Sequence, residues 1–134
     1  MEVRHHAGAV ILEDCYNANP DSTRAALESL ATWPGARRRI AVLGDMLELG
    51  ATAAELHRET GALVREAELW TVGTHAEDYA RGARSAGVSV RTFADKREVA
   101  AALRGALAPG VVVLVKASRG AALEQVLAGL DKES

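Results

Sequence analysis

The sequence predicts an α/β protein, a three-layer sandwich whose mostly parallel, Rossmann-like sheet has about six strands and an N-terminal hairpin at one edge. Short apolar runs alternate with amphipathic stretches of helical period, an order typical of α/β folds. The run 111–115 is apolar without a break and rich in valine, as expected of a central parallel strand that is covered on both faces. Ala7-Gly8 separates two strand-like segments and indicates the hairpin.

Each element has its own signal in the sequence. Asn19-Pro20 suits a helix start, because asparagine caps helices and proline fits their first turn, and this helix should end near Trp33. Three later helices should start at capping boxes, which pair a cap residue with an acidic residue three positions on. The predicted boxes are Thr52 with Glu55, Thr74 with Glu77, and Asp95 with Glu98. The predicted strands are 2–6, 9–13, 39–43, 69–72, 88–93 and 111–115, and a last helix covers about 120–130.

Composition excludes several classes of protein. The chain has 134 residues, enough for one domain with its own core. Its 16 basic and 18 acidic residues nearly cancel and only 4% of residues are aromatic, which argues against a nucleic-acid or membrane-surface binder. A single cysteine cannot form an internal disulfide, and no apolar run approaches the roughly 20 residues that span a bilayer. We therefore expect a single cytoplasmic domain that binds no nucleic acid and does not insert into membranes.

Two common nucleotide-binding motifs are missing from the sequence. No glycine lies two residues from another, so there is no Gly-x-Gly-x-x-Gly loop, and no lysine follows a glycine as in a phosphate loop. Polar residues instead fill the loops that follow the predicted strands: 14–19, 44–50, 73–75, 94–95 and 116–120. Ligands of parallel sheets gather at the carboxyl ends of the strands, so we expect these loops to form one binding edge.

The segment 14–20 leaves a buried strand and enters a helix N-terminus, which favours anions. Asp14 can accept hydrogen bonds from ribose hydroxyls, and the amides of Asn17 and Asn19 can donate to phosphate oxygens. Both asparagines could instead cap the helix, and for Asn19 a cap and a ligand contact can coexist.

The segment 116–120 places two cations and a hydroxyl, on Lys116, Arg119 and Ser118, at the end of the predicted central strand. A helix start with a solvated arginine is one interpretation. Anion binding is the interpretation that we favour, because a lysine directly follows five buried residues.

These motifs together resemble the C-terminal domain of the Mur ligase family, and within it the branch that adds D-Ala-D-Ala to UDP-MurNAc-tripeptide. The resemblance covers nearly the whole chain in order. One departure is Ala117, where the family usually has glycine. The motifs are YNANP at 16–20, LGDMxELG at 43–50, HxxxG at 57–61, VG at 72–73 and VKxSRG at 115–120.

The resemblance implies the third domain of an ATP-dependent peptide ligase of peptidoglycan synthesis, and hence of cell shape and division. An N-terminal domain would hold the UDP-sugar substrate and a central ATPase domain most of ATP and Mg²⁺; we expect residues 1–134 to start just after that central domain. ATP would phosphorylate the substrate carboxylate, and the amine of D-Ala-D-Ala would attack the acyl phosphate. Alone, this domain should be inactive and hold no cofactor.

Individual roles also follow from the resemblance. Asp14, Tyr16, Asn17 and Asn19 would face the nucleotide, and Asn17 with Lys116 would act on the reacting phosphate. Candidates for the amino substrate are Thr74, His75, Ser118 and Arg119.

Other polar residues have structural interpretations. Cys15 reads as a small buried hydrophobe and His57 as a structural or supporting residue, while Asp45 and Glu48 should bond backbone amides. We predict no metal site, because the adjacent His5 and His6 of one strand point to opposite faces.

Two alternatives stay open. The chain could be the matching domain of another Mur-type ligase, such as a murein-peptide, folate-polyglutamate or cyanophycin enzyme, although the Asn-Ala-Asn segment argues against this. It could also be a free-standing nucleotide- or peptide-binding module. An upstream Gly-Lys-Thr phosphate loop in the same reading frame would favour the ligase.

Overall fold

The computed structural model describes residues 1–14 and 18–117, which form one six-stranded sheet and four α-helices. The strands are β1 (Glu2–His6), β2 (Ala9–Asp14), β3 (Arg38–Leu43), β4 (Glu68–Val72), β5 (Val90–Phe93) and β6 (Val111–Lys116). The helices are α1 (Pro20–Thr32), α2 (Ala53–Gly61), α3 (Ala76–Ser85) and α4 (Lys96–Ala106), and a 3₁₀ turn, Gly50–Thr52, precedes α2.

The strand order across the sheet is β1-β2-β6-β3-β4-β5. Only the β1–β2 pair is antiparallel, and Ala7 and Gly8 turn between them with φ values of 53° and 82°, as a two-residue hairpin requires. β6 lies between β2 and β3, and every one of its residues is buried. The predicted fold class, with a central valine-rich strand and an N-terminal hairpin at one edge, is confirmed.

Two hydrophobic cores cover the two faces of the sheet. Val113 and Val115 face the core on the α4 side, which also holds Val99 and Leu103 of that helix. Leu114, one residue away, faces the core that α1 and α3 cover. Successive residues of a strand face opposite sides of the sheet, so this alternation fixes which side the last residue of each strand faces. Among the described residues, no helix meets both the length and the hydrophobicity that a membrane span requires.

Helices α2 and α3 pack unusually closely through two glycines. A Cβ on Gly61 would lie 2.0 Å from the carbonyl oxygen of Tyr79, and a Cβ on Gly82 would lie 1.8 Å from the carbonyl oxygen of Arg58. Each glycine therefore lets the backbone of the other helix approach to contact distance. The predicted HxxxG motif includes Gly61, and the structure gives this residue a packing role.

The predicted side-chain caps form at two helix starts and are missing at the other two, although α2 does begin directly after Thr52 as predicted. At α1, Oδ1 of Asn19 accepts the amide of Ser22 at 2.8 Å and Oγ of Ser22 accepts the amide of Asn19 at 3.0 Å. At α4, Asp95 accepts the amide of Glu98 at 2.9 Å, and the Glu98 side chain accepts the amide of Ala94. Both of these helix starts are therefore closed by local side chains, as the sequence predicts.

The capping boxes predicted at Thr52 and Thr74 do not form. Thr52 is the last residue of the 3₁₀ turn and has φ −94° and ψ 8°, outside the extended region that caps adopt, and its hydroxyl donates back to Leu49. α3 starts one residue later than predicted, with His75 at the cap position. The carboxylate of Asp45, on the loop after β3, accepts the backbone amides of Thr74 and His75 at this helix end instead.

One predicted strand is too long, and one predicted helix falls outside the described residues. β5 starts at Val90 instead of residue 88, because the amide of Val88 bonds the carbonyl of Ala83 and closes the end of α3. The predicted last helix, 120–130, lies in a segment that the structure does not describe.

Candidate functional site

The carboxyl ends of the parallel strands line one edge of the sheet, as the sequence predicts. Asp14 of β2 is in register with Lys116 of β6, and Lys116 is in register with Leu43 of β3. The amide of Gly44, just after β3, donates to the carbonyl of Lys116 at 2.9 Å. The strands β2, β3 and β6 therefore end side by side at Asp14, Leu43 and Lys116, and we call this edge the polar rim.

An ion pair between a buried lysine and a half-buried aspartate lies at the centre of the polar rim. Nζ of Lys116 is 2.9 Å from Oδ2 of Asp14, and the two side chains are 1% and 23% exposed. A charge removed from water needs a partner of opposite charge, and Asp14 supplies one, so the lysine can stay charged while buried. Lys116 is the last residue of β6 and not, as we predicted, the first residue after the strand. The structure thus places Asp14 and Lys116 together, with the lysine head group turned inward.

Asn19 caps the start of α1, five residues after Asp14 in the sequence. Its Oδ1 accepts the amide of Ser22, so the capping interpretation is confirmed. The contact with a nucleotide stays a prediction.

Asp45 connects the loop after β3 to the turn after β4. Its two carboxylate oxygens accept the amides of Thr74 and His75, at 3.0 and 2.8 Å. An acidic group at a helix N-terminus also offsets the helix dipole. Gly73 belongs to the same contact, since its φ is 110° and a Cβ there would lie 2.7 Å from the carboxylate. The structural interpretation of Asp45 is confirmed, and it explains the Val72-Gly73 motif.

His57 and Tyr79 support the same loop from behind. His57 is fully buried; its Nε2 lies 2.9 Å from the amide nitrogen of Met46, and its ring stacks on His75 with centroids 4.1 Å apart. The hydroxyl of Tyr79 donates to the carbonyl of Gly44 at 2.8 Å, and burial raises the pKa of this phenol. The loop 44–50 is thus held through backbone groups by side chains from α2 and α3.

A cavity of about 230 Å³ opens at the carboxyl ends of β3, β4 and β5, beside the polar rim. Sequence reasoning included the loop 94–95 in the binding edge but named no site residue there, and it missed Lys96. The available signal was its position at the start of α4, three residues after the end of β5. The cavity is lined by Gly44, Asp45, Val72, Gly73, Ala94, Asp95 and Lys96.

Several candidates lie outside residues 1–14 and 18–117. These are Tyr16, Asn17, Ser118 and Arg119, together with Cys15. Within the described ranges, no group of three or more His, Cys, Asp or Glu side chains could hold a metal ion. Ala117 is described: it is fully buried and has no positive φ, so a side chain fits at this position.

The stability of the chain should depend on pH through His57. Burial lowers the pKa of His57 below its ordinary value of 6.5; the bond to the Ala53 carbonyl raises it, and the charge of His75 lowers it. The folded chain then binds fewer protons than the unfolded chain, so the stability present above about pH 6.5 should be lost as the pH falls through the lower folded-state pKa.

Unfolding by denaturant at several pH values between 5 and 7.5 tests this. The loss of stability toward pH 5 should be smaller in His57→Gln than in the native chain. An identical pH dependence in both chains would contradict the assignment.

Comparison with known proteins agrees with this geometry. The family model described as "Mur ligase, glutamate ligase domain" matches residues 1–119. The UDP-N-acetylmuramoyl-tripeptide–D-alanyl-D-alanine ligases of Bacillus subtilis and Treponema pallidum are 32% and 39% identical to this chain. These matches cover 96% and 95% of the chain, but only 29% and 28% of the relatives.

Solved structures show the same likeness. The crystal structure of MurF ligase from Thermotoga maritima in complex with ADP matches 98% of the chain with a TM-score of 0.81 and 31% identity, over 30% of its own length. A MurF structure from Acinetobacter baumannii matches with a TM-score of 0.84 and 28% identity, over 29% of its own length. The present chain thus spans less than a third of these proteins. The family match over residues 1–119 and the relatives above 30% identity show that the chain belongs to the Mur ligase family.

Proposed function

We propose that this chain is the C-terminal lobe of an ATP-dependent ligase that adds D-Ala-D-Ala to UDP-MurNAc-tripeptide. The names of the relatives support this activity, and so does the Thermotoga maritima structure, which contains ADP. The observation that carries the proposal is the polar rim, where β2, β3 and β6 end side by side and Asp14 is paired with Lys116. The proposed place of action is the cytoplasm.

The chemistry needs fixed charge more than it needs a nucleophile from the protein. ATP phosphorylates the carboxylate of the tripeptide, and the amine of D-Ala-D-Ala attacks the acyl phosphate and releases phosphate. Negative charge develops on the oxygens of the reacting carbon during the attack. Preorganised cations and amide donors stabilise such charge best where water is excluded.

The proposed roles divide along the polar rim. Asp14, Tyr16, Asn17 and Asn19 face the nucleotide, and Asn17 with Lys116 acts beside the reacting phosphate. Because Lys116 is buried and paired, it acts by its fixed charge and by the orientation that it gives Asp14. ATP and Mg²⁺ are held mainly by the part of the ligase that this chain does not cover.

In this proposal the amino substrate contacts the residues that follow β6 and β4. Ser118 and Arg119 follow β6, and Thr74 and His75 follow β4, where Asp45 fixes their backbone. The turn 73–75 is therefore a prepared surface, whose position does not depend on the substrate.

A chimeric ligase tests the proposal. The chain replaces the matching 29% of the Bacillus subtilis ligase, and ADP release is measured with UDP-MurNAc-tripeptide and D-Ala-D-Ala. We expect ADP release that requires both substrates, and no activity from the chain alone.

A second chimera, with the matching segment of the Treponema pallidum ligase, controls for junction effects. A folded but inactive chimera of the present chain beside an active control chimera would refute the proposal. It would favour a free-standing binding module instead.

A further inference from the structure

His57 has two hydrogen bonds that fix its tautomer. The amide of Met46 can only donate, so Nε2 of His57 must accept, at 2.9 Å. The carbonyl of Ala53 can only accept, so Nδ1, 2.6 Å away, must carry the proton. The buried ring is therefore a neutral imidazole with a defined orientation.

Met46 directly follows Asp45 in the sequence, and Asp45 links the loop 44–50 to the turn 73–75. The carboxylate of Asp45 accepts the amides of Thr74 and His75, and it packs against Gly73, where no side chain fits. The ring of His75 stacks on the ring of His57, so the turn 73–75 also contacts His57 directly. Three separate segments of the chain thus share one arrangement around the turn 73–75.

We propose that His57 is a positioning residue: as a neutral imidazole it holds Met46 and thereby sets Asp45 beneath the amides of Thr74 and His75. The link to the amino substrate rests on the proposed function, in which this turn contacts D-Ala-D-Ala. The positioning itself is a property of the chain alone.

Protonation of His57 should release the loop, since an imidazolium has no acceptor for the Met46 amide. Among the described residues, the titratable groups near this ring come from the turn 73–75, from α3 and from the loop 44–50. His75 stacks on the ring, Tyr79 meets it edge-on at 4.8 Å, and the charges of Asp45 and Asp78 act on it. Asp78 also lies 2.9 Å from Nδ1 of His75.

Nuclear magnetic resonance of the ¹⁵N-labelled chain tests the hydrogen bond between His57 and Met46. We expect a scalar coupling between the Met46 amide nitrogen and Nε2 of His57 across the N–H···N hydrogen bond, and ring shifts of the Nδ1-protonated tautomer. Absence of this coupling, or the opposite tautomer, would overturn the proposal.

Two matched variants test whether His57 positions the turn 73–75 through Met46 and Asp45. His57→Phe keeps a ring but removes the acceptor, whereas His57→Gln keeps an acceptor near the position of Nε2. In His57→Phe, hydrogen exchange of the Met46, Thr74 and His75 amides should be about 10-fold faster, with the central-strand amide of Val113 unchanged. His57→Gln should restore most of the protection. Unchanged exchange at Thr74 and His75 in folded His57→Phe would contradict the positioning role.

Should His57→Phe not fold, titration of the native chain gives the same decision. The amides of Thr74 and His75 should shift with the midpoint of the His57 ring, also in His75→Gln, which removes the other titrating ring. Amides that stay in place while His57 protonates would overturn the proposal.

In the active chimera, His57→Phe should raise KM for D-Ala-D-Ala about 10-fold with a smaller change in kcat. The resonance results do not depend on ligase activity, so failure of the proposed function and failure of this inference are distinguishable.

Discussion

Replacing Asp14 by alanine should lower the free energy of unfolding by about 3–5 kcal/mol, because it removes the carboxylate beside a buried lysine charge. Lys116→Met should cost less, about 1–2 kcal/mol. The carboxylate of Asp14 is 23% exposed and can regain water, whereas the side chain of Lys116 is 1% exposed. The asymmetry follows from which charge is left behind.

The double variant Asp14→Ala/Lys116→Met should be more stable than Asp14→Ala alone, within about 1 kcal/mol of the native chain, since uncharged replacements of buried pairs are often tolerated. Denaturant unfolding of the four chains gives the coupling free energy. Strictly additive single effects would mean that the two charges do not interact, and that the burial of Lys116 has another cause.

Alanine at Gly61 or Gly82 should have the second largest effect on stability. A Cβ at either position would overlap a backbone carbonyl oxygen of the facing helix, at 2.0 or 1.8 Å. Backbone cannot rotate away as a side chain can, so α2 and α3 must separate. We expect each substitution to cost about 1–3 kcal/mol, the usual range of overpacking. The two together should cost less than the sum, because one separation of α2 and α3 relieves both overlaps.

Gly105→Ala in α4 is the matched control, because nothing lies within 4 Å of the position of its Cβ. Alanine there should stabilise the chain by about 0.5–1 kcal/mol through helix propensity. Thermal unfolding of the three single variants would test the packing. A mild effect of Gly61→Ala or Gly82→Ala, comparable to that of Gly105→Ala, would contradict the close approach of α2 and α3.

Local patterns predicted the fold well because each strand and helix has a signal in its own residues. The apolar run of β6 indicated a central strand, and Asn19-Pro20 indicated the start of α1. The capping box expected at Thr74 failed because Asp45, from a distant loop, bonds the amides of this helix end. A capping pattern cannot show that a remote side chain competes for the same donors.

The sequence predicted which edge of the sheet holds the site, but not how the side chains are arranged there. Parallel strands bring their carboxyl ends to one edge, so the neighbourhood of Asp14 and Lys116 followed from the order of the elements. The inward turn of Lys116 did not follow, because it depends on the register of β2 and β6 and on the face that their last residues take. The same holds for His57, whose partner Met46 lies on a loop.

The most direct test of a catalytic polar rim is the turnover of the active chimera carrying the stability-compensated double variant Asp14→Ala/Lys116→Met. With melting temperature close to that of the unmodified chimera, kcat should fall about 100-fold, the usual loss when a preorganised charge at a reacting centre is removed. An undiminished kcat in this folded double variant would show that the ion pair serves stability alone, and would contradict the account.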